Sequence, residues 1–426
     1  MRRQLTKRYS FVFRKKAVRN PFAFVRDVHQ SGKSRELLSF IVWELFHSLR
    51  LFPKKKYLNF SNVEPLTLEN ERLNELDFGR RIDHLFRSRE LNITRSGHNW
   101  KLLFIGNNGE IFGCVYPNDR DLYKSLDNGK SITFLKTFPK SIKSLFVSSQ
   151  DTIFVCVEGT VYRSSDSGAS FTRSLELSSS ESYFKHNNAM TETPSQTLVI
   201  GEYGNVWDKE GWRNLAYLYF SSDNGDRWEK SDFLIRNGIN KHVHLIRYSR
   251  LLDKILVADG DNKKKLWIGD LSDSSDLRNL RWKPVNRFHI QMGGYTSSAE
   301  SDGKILFGTD YLGGTNFIVE SRDGKKFTKR VMPDPYRRSP IDNMVQRKSK
   351  RGNEIWANLS YSTANTRCLL MYTDNGGQSW NKVIEYSRDT HKVSLISSSN
   401  EAADVLYFYV EDLKSRDRIV YQVVDQ

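Results

Sequence analysis

Two stretches of the sequence are near-copies of each other: YRSSDSGASF at residues 162–171 and YFSSDNGDRW at residues 219–228. Each contains Ser-x-Asp-x-Gly-x-x followed by an aromatic residue, directly after a short strand-like run. The Asp carboxylate can accept hydrogen bonds from N–H groups of its own turn, and Gly permits a positive φ. The aromatic side chain can pack between adjacent sheets. We therefore interpret the pattern as the turn of a β-hairpin, in which Asp166, Asp223 and Trp228 have structural roles.

The pattern recurs in weaker form along the chain. Four further hairpins are predicted, three of which share part of the pattern: residues 125–132 with Asp127, residues 372–380 with Asn375 and Trp380, residues 320–327, and residues 266–282. The first ends in Ile, the second has Asn in place of Asp, the third keeps only the Gly and the aromatic residue, and the fourth lacks the motif. Six hairpins in one chain indicate an internal repeat.

The strand-like runs can be assigned in groups of four, such as KLLFIG, EIFGCVYP, DLYKSLD and SITFLK. Their alternation and short turns favour antiparallel sheets. Residues 97–426 are thus predicted to form an all-β propeller with four-stranded blades. Seven blades would average ~47 residues, close to the ~40–50 of propeller repeats, whereas six would average ~55. We expect seven, with six as the alternative, and residues 57–63 as the strand that closes the ring.

These turns resemble those of the Asp-box, or BNR-repeat, propellers, a superfamily that includes sialidases and other carbohydrate-active enzymes. The resemblance covers about residues 97–426 and implies a glycan as the ligand. In that superfamily the boxes lie on outer hairpins, away from the active site. The Phe/Tyr-Arg-Ile-Pro motif of sialidases is missing, since its nearest match, GRRIDHLF at residues 79–86, lacks the Pro. The sequence therefore does not predict a true sialidase.

Polar residues gather at the predicted ends of inner strands, where propellers bind ligands around their axis. The candidates for catalysis are Glu202, His242, His244, Asp261 and Asp310, and those for substrate binding are Tyr203, Gln291, Tyr295, Tyr311 and Arg338. Paired carboxylates can supply the acid and the base of glycoside cleavage. Asp261, which lies in ADGDN, has an equal alternative role in a turn.

His242 and His244 are two residues apart, so in a strand both side chains point to the same face, with α-carbons ~6.8 Å apart. The pair could bind a divalent metal, combine a ligand with a general base, contact a polar ligand, or form hydrogen bonds within the channel wall. The residue types also resemble those of propeller-type polysaccharide lyases, whose His and Gln side chains bind a metal or remove a proton beside a uronate. That resemblance adds Gln291 to the candidate metal ligands.

The positive charge of the chain lies mainly in residues 1–56, which hold fifteen Lys and Arg against three acids, while the whole chain has a net charge of +16. The remaining chain is nearly balanced, so net charge says little about the ligand of the main domain. No nucleic-acid-binding motif accompanies the basic segment, and a specific nucleic-acid partner is not expected. Three distant cysteines support neither a disulfide framework nor a zinc site.

Residues 37–52, LLSFIVWELFHSLRLF, predict an apolar helix within this basic extension. The helix is shorter and more polar than the roughly 20 apolar residues that a membrane span needs, and no signal-peptide pattern precedes it. It either docks on the protein's own body or lies on an anionic membrane surface. The sequence thus predicts a cytoplasmic protein or one peripheral on the cytoplasmic membrane face.

Two functions follow from these observations. The first is a carbohydrate-active enzyme, a glycoside hydrolase or polysaccharide lyase, that acts on a glycan at the central mouth of the propeller. The second is a non-catalytic propeller that holds a protein or glycan partner, as the Asp-box assembly factors of photosystem II do. The ionisable residues favour the enzyme, whereas the basic extension and the missing sialidase motif favour the scaffold.

Overall fold

The structure is a computed structural model. It describes residues 21–30, 34–69, 77–87, 92–208, 213–239, 241–259, 265–270, 280–285, 294–311, 314–360 and 366–425. Two of the predicted site residues, Asp261 and Gln291, lie outside the described residues.

Seven four-stranded antiparallel blades form a β-propeller, which confirms the predicted fold and the count of seven. From the axis outward, the strands are Trp100–Ile105, Ile111–Val115, Asp121–Ser125 and Thr133–Thr137 in blade 1; Ser144–Val147, Ile153–Val157, Thr160–Ser164 and Thr172–Glu176 in blade 2; Met190–Glu192, Leu198–Tyr203, Leu218–Ser221 and Glu229–Ser231 in blade 3; Leu245–Ser249, Lys254–Ala258, Leu266–Asp270 and Arg281–Pro284 in blade 4; Gly294–Ser301, Lys304–Asp310, Phe317–Ser321 and Thr328–Val331 in blade 5; Ile341–Ser349, Gly352–Leu359, Cys368–Thr373 and Asn381–Tyr386 in blade 6; and His391–Leu395, Leu406–Asp412, Arg418–Val423 and Ile93–Arg95 in blade 7.

Three short strands extend these sheets. Leu66–Leu68 runs parallel to the outer strand of blade 6, and Ser397–Ser399 runs parallel to the inner strand of blade 1. Tyr183–Phe184 pairs with the second strand of blade 3.

The burial of side chains falls from the axis outward. Neighbouring blades cover both faces of the inner strands, whereas the outer strands lie at the surface of the ring. Ile153–Val157 (IFVCV), the second strand of blade 2, is buried at every position. Thr172–Glu176 (TRSLE), the outer strand of the same blade, is exposed or half-buried throughout. A strand covered on both faces needs apolar residues at consecutive positions, whereas an outer strand does not. The hydrophobic core therefore lies between the blades.

The ring closes in blade 7, where the N-terminal part of the chain joins three C-terminal strands. Ile93–Arg95 pairs antiparallel with Arg418–Val423 and forms the outer strand. The prediction of residues 57–63 for this place is thereby corrected. Their apolar side chains instead cover the outer edges of blades 5 and 6, with single bridges from Tyr57 to blade 5 and from Phe60 to blade 6.

The Ser-x-Asp-x-Gly turns share one hydrogen-bond pattern, seen around Asp166. The Ser164 hydroxyl donates to Asp166 Oδ1 at 2.7 Å and accepts from the Gly168 N–H at 2.9 Å, and the Ser170 N–H donates to the same carboxylate at 2.9 Å. Gly168 has a φ of +92°. The same three bonds occur around Asp127, Asp223 and Asn375.

The aromatic residues of these turns pack between blades. The Trp228 indole N–H donates to Ser174 Oγ of blade 2 at 2.8 Å, and Trp380 is fully buried between blades 5 and 6. Each turn joins the third and fourth strands of its blade. In an antiparallel sheet this end is opposite the end at which the inner strand begins, so the turns occupy one face of the propeller.

Three described helices precede the first blade in the chain: α1 Pro21–Gln30, α2 Ser34–Ser48 and α3 Phe78–Arg87, with a 3₁₀ turn at Lys54–Lys56. A fourth, α4 Phe233–Arg236, lies in the connection between blades 3 and 4. The helix predicted at residues 37–52 thus begins at Ser34 and ends at Ser48. None of the described helices is both long and apolar enough to cross a bilayer.

Candidate functional site: the cationic mouth of the propeller

A cavity of about 510 Å³ opens on the face where the inner strands begin. This volume lies within the ~300–1,000 Å³ typical of small-molecule sites. Its lining comes from the region where the inner strands begin in five of the seven blades, blades 1, 2, 3, 6 and 7. We call it the mouth cavity; the charged side chains that line it are Lys101, Lys143, Lys185, Asp342, Lys392, Glu411 and Arg418.

Positive charge exceeds negative charge in this lining. Lys101 is neutralised by Asp119, with Nζ 2.6 Å from Oδ2, and Lys185 Nζ lies 3.6 Å from an oxygen of Asp342. Lys143 and Lys392 have no carboxylate within 4 Å among the described residues. The mouth cavity is therefore cationic and attracts anions.

Arg418 is a third cation of the mouth, and it is held in one orientation. Its guanidinium donates to Asn99 Oδ1 at 2.6 Å and to the Trp100 carbonyl at 2.7 Å. It lies 4.0 Å from the centre of the Tyr409 ring. Burial lowers the pKa of Arg418, but a guanidinium stays charged in proteins. Its charge is thus held at a fixed place at the mouth, and among the described residues no carboxylate oxygen lies within 4 Å of it, although Glu411 is its cross-strand neighbour.

His186 lines the same cavity as a neutral imidazole. Its Nε2 lies 3.2 Å from the Leu103 carbonyl and 3.3 Å from the Ile396 carbonyl, so Nε2 carries the proton and donates it. Burial lowers the pKa of His186 to about 4. Nδ1 then holds a lone pair, and within the described chain it has no hydrogen-bond partner.

Two asparagines next to His186, Asn187 and Asn188, also line the mouth cavity. Asn187 has a φ of +72°, and the side-chain oxygens of Asn187 and Asn188 are buried without a hydrogen-bond partner among the residues that the structure describes. The Asn188 amide donates to Asn343 Oδ1 at 3.4 Å. Buried polar atoms without partners are rare in proteins and mark a position for water or a polar ligand.

Three tyrosines, Tyr116, Tyr183 and Tyr409, add aromatic surface to the mouth cavity. Tyr116 is 52% exposed and belongs to the connection between the second and third strands of blade 1. Exposed rings beside cations and amides are a common way to hold a ligand that has both apolar and polar faces.

Glu202, predicted as a catalytic acid or base, is fully buried and has its hydrogen bonds made by the protein. Oε1 accepts from the Ser178 N–H at 3.1 Å, from the Ser178 hydroxyl, and from the Ser182 hydroxyl at 2.6 Å. Oε2 accepts from the Tyr219 hydroxyl at 2.7 Å. These contacts tie blade 3 to its connection with blade 2, which is a structural environment.

His242 and His244 lie together, as their spacing predicts, and bond to each other. Their Nε2 atoms are 2.8 Å apart, so one ring donates a proton to the other, and His242 Nδ1 lies 2.6 Å from the Gly204 carbonyl. The Tyr203 ring packs against His242 in a tilted arrangement with centroids 4.0 Å apart, and against Tyr183 with centroids 5.2 Å apart. The two histidines are thus separated from the mouth cavity by Tyr203 and by Tyr183, which lines the cavity.

A divalent metal at this pair remains a prediction. The described residues contain no group of three His, Cys, Asp or Glu side chains that could hold a metal ion, and Gln291 falls outside them.

The remaining predicted residues lie in or beside blade 5. Asp310 ends its second strand, opposite Gly294, and Tyr295 is fully buried against Phe307. The Tyr311 N–H donates to Asn316 Oδ1 at 2.7 Å. Arg338 donates to Glu44 of α2 at 2.8 Å. None of the predicted catalytic and binding residues that the structure describes lines the mouth cavity.

The residues that do line it were missed by sequence reasoning, although a signal exists. Lysines stand at or just before the inner strands of four blades: WKLLF at Lys101, IKSLF at Lys143, FKHNN at Lys185 and HKVSL at Lys392. Each lysine alone is unremarkable as a motif. Alignment of the blades on their inner strands would have shown the four together.

Comparisons with known proteins support the fold and leave the function open. No family model matches the sequence, and none of the curated proteins matches it. A solved structure of catalytically inactive virginiamycin B lyase from Staphylococcus aureus with quinupristin is similar, with 11% identity over 79% of this chain and 100% of that one, and a TM-score of 0.53. A chain of the mitotic checkpoint complex gives 10% identity over 86% and 100%, with a TM-score of 0.51, and YCF48 from Cyanidioschyzon merolae gives 11% over 78% and 98%, with a TM-score of 0.48. At such identities the similarity to the first two structures shows the β-propeller fold alone, because propellers serve many functions.

Proposed function

We propose that the protein binds an acidic glycan, a saccharide that carries carboxylate groups, at the mouth cavity. The observation that carries this proposal is the set of Lys143, Lys392 and Arg418, which converge on one cavity and have no carboxylate within 4 Å among the described residues. Ammonium and guanidinium groups bind carboxylates through charge-assisted hydrogen bonds.

The other lining residues suit a sugar ring. The Tyr116 ring offers a flat apolar surface for the C–H face of a saccharide. The side chains of Asn187, Asn188 and Asn343 line the cavity, and amide groups both donate hydrogen bonds to sugar hydroxyls and accept hydrogen bonds from them. Cations, amides and an aromatic face in one cavity of this size match an acidic sugar better than a neutral or apolar ligand.

Glycan cleavage is a second candidate function, and the residues that support it are not those that the sequence predicted. Two carboxylates, Asp342 and Glu411, line the mouth cavity together with the cations. A pair of carboxyl groups is the usual machinery of glycoside hydrolysis. Glu202 does not fit that part, because the protein already makes hydrogen bonds to both of its oxygens.

Membership in the Asp-box superfamily belongs to the same proposal. It is supported by the shared hydrogen-bond pattern of the four turns and by their location on the face opposite the mouth. A superfamily rich in carbohydrate-active proteins makes a glycan the natural class of ligand.

Calorimetry with oligogalacturonate and with its methyl ester tests the binding proposal, since esterification removes the charge of the carboxyl groups and leaves the sugar backbone unchanged. We expect binding of the acid and little binding of the ester, with affinity that falls as salt is added. Lys143→Ala and Lys392→Ala should each weaken binding about tenfold. Lys130→Ala is the matched control, because Lys130 is exposed in the Asp127 turn on the other face.

Equal affinity for acid and ester, or equal effects of the Lys130 and Lys143 variants, would overturn the proposal. Two assays on the same samples address cleavage: new reducing ends for hydrolysis and absorbance of unsaturated products for elimination. Turnover that Asp342→Asn or Glu411→Gln abolishes would establish the enzyme, whereas binding without turnover would establish the scaffold.

A further inference from the structure

Helix α2 docks on the propeller through its polar side. Glu44 Oε1 accepts from Arg337 at 2.6 Å and Oε2 accepts from Arg338 at 2.8 Å. His47 Nε2 lies 2.7 Å from Asp334 Oδ2. All three partners belong to the connection between blades 5 and 6. The sequence left open whether the helix docks on the body or lies on a membrane, and these contacts show docking.

The opposite side of α2 is apolar and faces solvent. The residues at the spacing of one helical face are Leu38, Ile41, Val42 and Leu45 in α2 and Leu49 directly after it, and they are 41 to 64% exposed. At 100° per residue they span an arc of about 100°, the width of a typical apolar helix face. A helix on a globular protein normally turns such a face toward the core. Here the orientation is reversed, which leaves the apolar face of α2 available to a partner.

Positive charge lies directly after this apolar face in the chain. Arg50, Lys54, Lys55 and Lys56 follow the helix directly and are exposed. Residues 1–56 as a whole hold fifteen Lys and Arg against three acids. An apolar face with basic flanks has the chemistry of helices that lie in the interface of anionic membranes, where the face enters the acyl region and the cations meet the lipid phosphates.

We infer that the apolar face of α2 binds the surface of an anionic lipid bilayer and anchors the propeller there. Charge favours this occupant over a second copy of the chain, because two such faces would bring two basic segments together. The inference is independent of the glycan proposal. It also has a geometric consequence: the connection that holds α2 leads directly into the inner strand with Asp342, so the anchor is on the same face as the mouth cavity.

Sedimentation of the full-length protein with vesicles tests the anchor. We expect binding to phosphatidylcholine vesicles that contain phosphatidylglycerol and at least tenfold weaker binding to phosphatidylcholine alone. The double variant Ile41→Gln/Leu45→Gln should lose about tenfold or more in affinity, since it removes apolar surface from the acyl region. The triple variant Lys54→Gln/Lys55→Gln/Lys56→Gln should lose roughly a hundredfold on the anionic vesicles.

The matched control is Leu126→Gln/Leu251→Gln, which alters exposed leucines of blades 1 and 4 away from the helix. It should bind as the wild type does. Absence of sedimentation with anionic vesicles, or equal losses in the helix and control variants, overturns the inference. Light scattering measures the oligomeric state and so tests whether a second copy of the chain binds this face. A wild-type dimer that Ile41→Gln/Leu45→Gln converts to a monomer would assign the face to a second copy. Circular dichroism and thermal melts confirm that each variant is folded.

Discussion

The mouth cavity and the Asp-containing turns lie on opposite faces of the propeller, and their polar groups are treated in opposite ways. In the turns, each carboxylate is bonded by hydroxyl and N–H groups within four residues of it. At the mouth, His186 Nδ1 and the Asn187 side-chain oxygen lack a hydrogen-bond partner among the described residues. Carboxylates whose hydrogen bonds are made by their own turn stabilise the fold, whereas buried polar groups without a partner mark a position for water or a ligand.

Glu202 gives the largest expected effect and the sharpest test of this distinction. It lies at the mouth-side end of its strand, yet it is bonded as fully as the turn carboxylates. We expect Glu202→Ala to lower the free energy of unfolding by about 4 kcal/mol, because several buried donors lose their acceptor at once. Guanidinium denaturation measures this, with the exposed neighbour Glu181→Ala as a control that should stay within about 0.5 kcal/mol.

The glycan affinity of the same variant shows whether Glu202 has a structural role, as the turn carboxylates do, or a role in binding at the mouth cavity. If the folded fraction of Glu202→Ala binds oligogalacturonate as the wild type does, the residue is structural. A stable variant with lost binding would break the comparison between the two faces.

The fold was predictable because its signals are local. A turn such as Ser164 to Phe171 needs only its own side chains to form, so its residues appear in sequence at fixed spacing. The closing strand was not predictable in this way. Ile93–Arg95 is only three residues long, too short to show alternation, whereas residues 57–63 form a longer run with four apolar residues and yet cover the edges of two other blades.

The candidate site was predictable only in part, since its residues are chosen by three-dimensional proximity. Residue type pointed to His242 and His244, but sequence cannot show that the two rings bond to each other. Lys143 and Lys392 carry no motif, and their meaning comes from the ring that places both at one mouth. Residues 184–190, FKHNNAM, match no motif, although they provide His186 and both asparagines.

His186 is expected to give the next largest effect, visible as a dependence of stability on pH. The pKa of His186 is about 4 in the folded protein, below the ~6.5 of an unfolded chain. Above pH 6.5 neither state binds the proton, so the free energy of unfolding is unaffected. Between pH 6.5 and 4 the unfolded chain is protonated first, and stability falls by up to about 3 kcal/mol before it levels off.

The variant His186→Gln isolates this dependence, because Gln keeps an N–H donor for the two carbonyls and does not titrate. The stability difference between wild type and variant should change over the window from pH 6.5 to 4 and stay constant above it. Nuclear magnetic resonance of the imidazole adds a link to the mouth: an acidic ligand should raise the pKa of His186. An unchanged pKa on ligand binding would place this histidine outside the site.

Gly225 provides a test on the turn face that involves backbone and packing alone. Its φ is +85°, and a Cβ built there would lie 2.5 Å from the ring of Phe154 in blade 2. We expect Gly225→Ala to cost about 2–3 kcal/mol, from the left-handed backbone and from overpacking between blades. Gly109→Ala is the matched control, since its φ is +80° and nothing lies within 4 Å of its Cβ.

The control separates the two contributions. Gly109→Ala should cost only the ~1 kcal/mol of the backbone conformation. Equal costs at both positions would show that the approach of the turn to blade 2 adds nothing, and that the turns do not hold neighbouring blades together.

Asp223 gives the smallest expected effect and compares a carboxylate with an amide in the same turn. Partial burial acts to raise the pKa of Asp223, but the Arg227 N–H and the Ser221 hydroxyl outweigh it and hold the pKa below its ordinary value. Asp223→Asn should change stability little at pH 7, because Asn375 makes the same three bonds in blade 6. Asp223→Ala removes the acceptor and should cost about 1 kcal/mol in thermal or chemical unfolding.

The sign of the pH dependence completes this test. A lowered folded pKa stabilises the protein above the ~3.9 of an unfolded Asp, and this contribution is lost as pH falls through the folded value. Asp223→Asn should therefore show a weaker loss of stability below about pH 4, and Asn375→Asp should show a stronger one. If both variants follow the wild-type acid profile, the turn carboxylates act through geometry alone, and their charge contributes nothing to the fold.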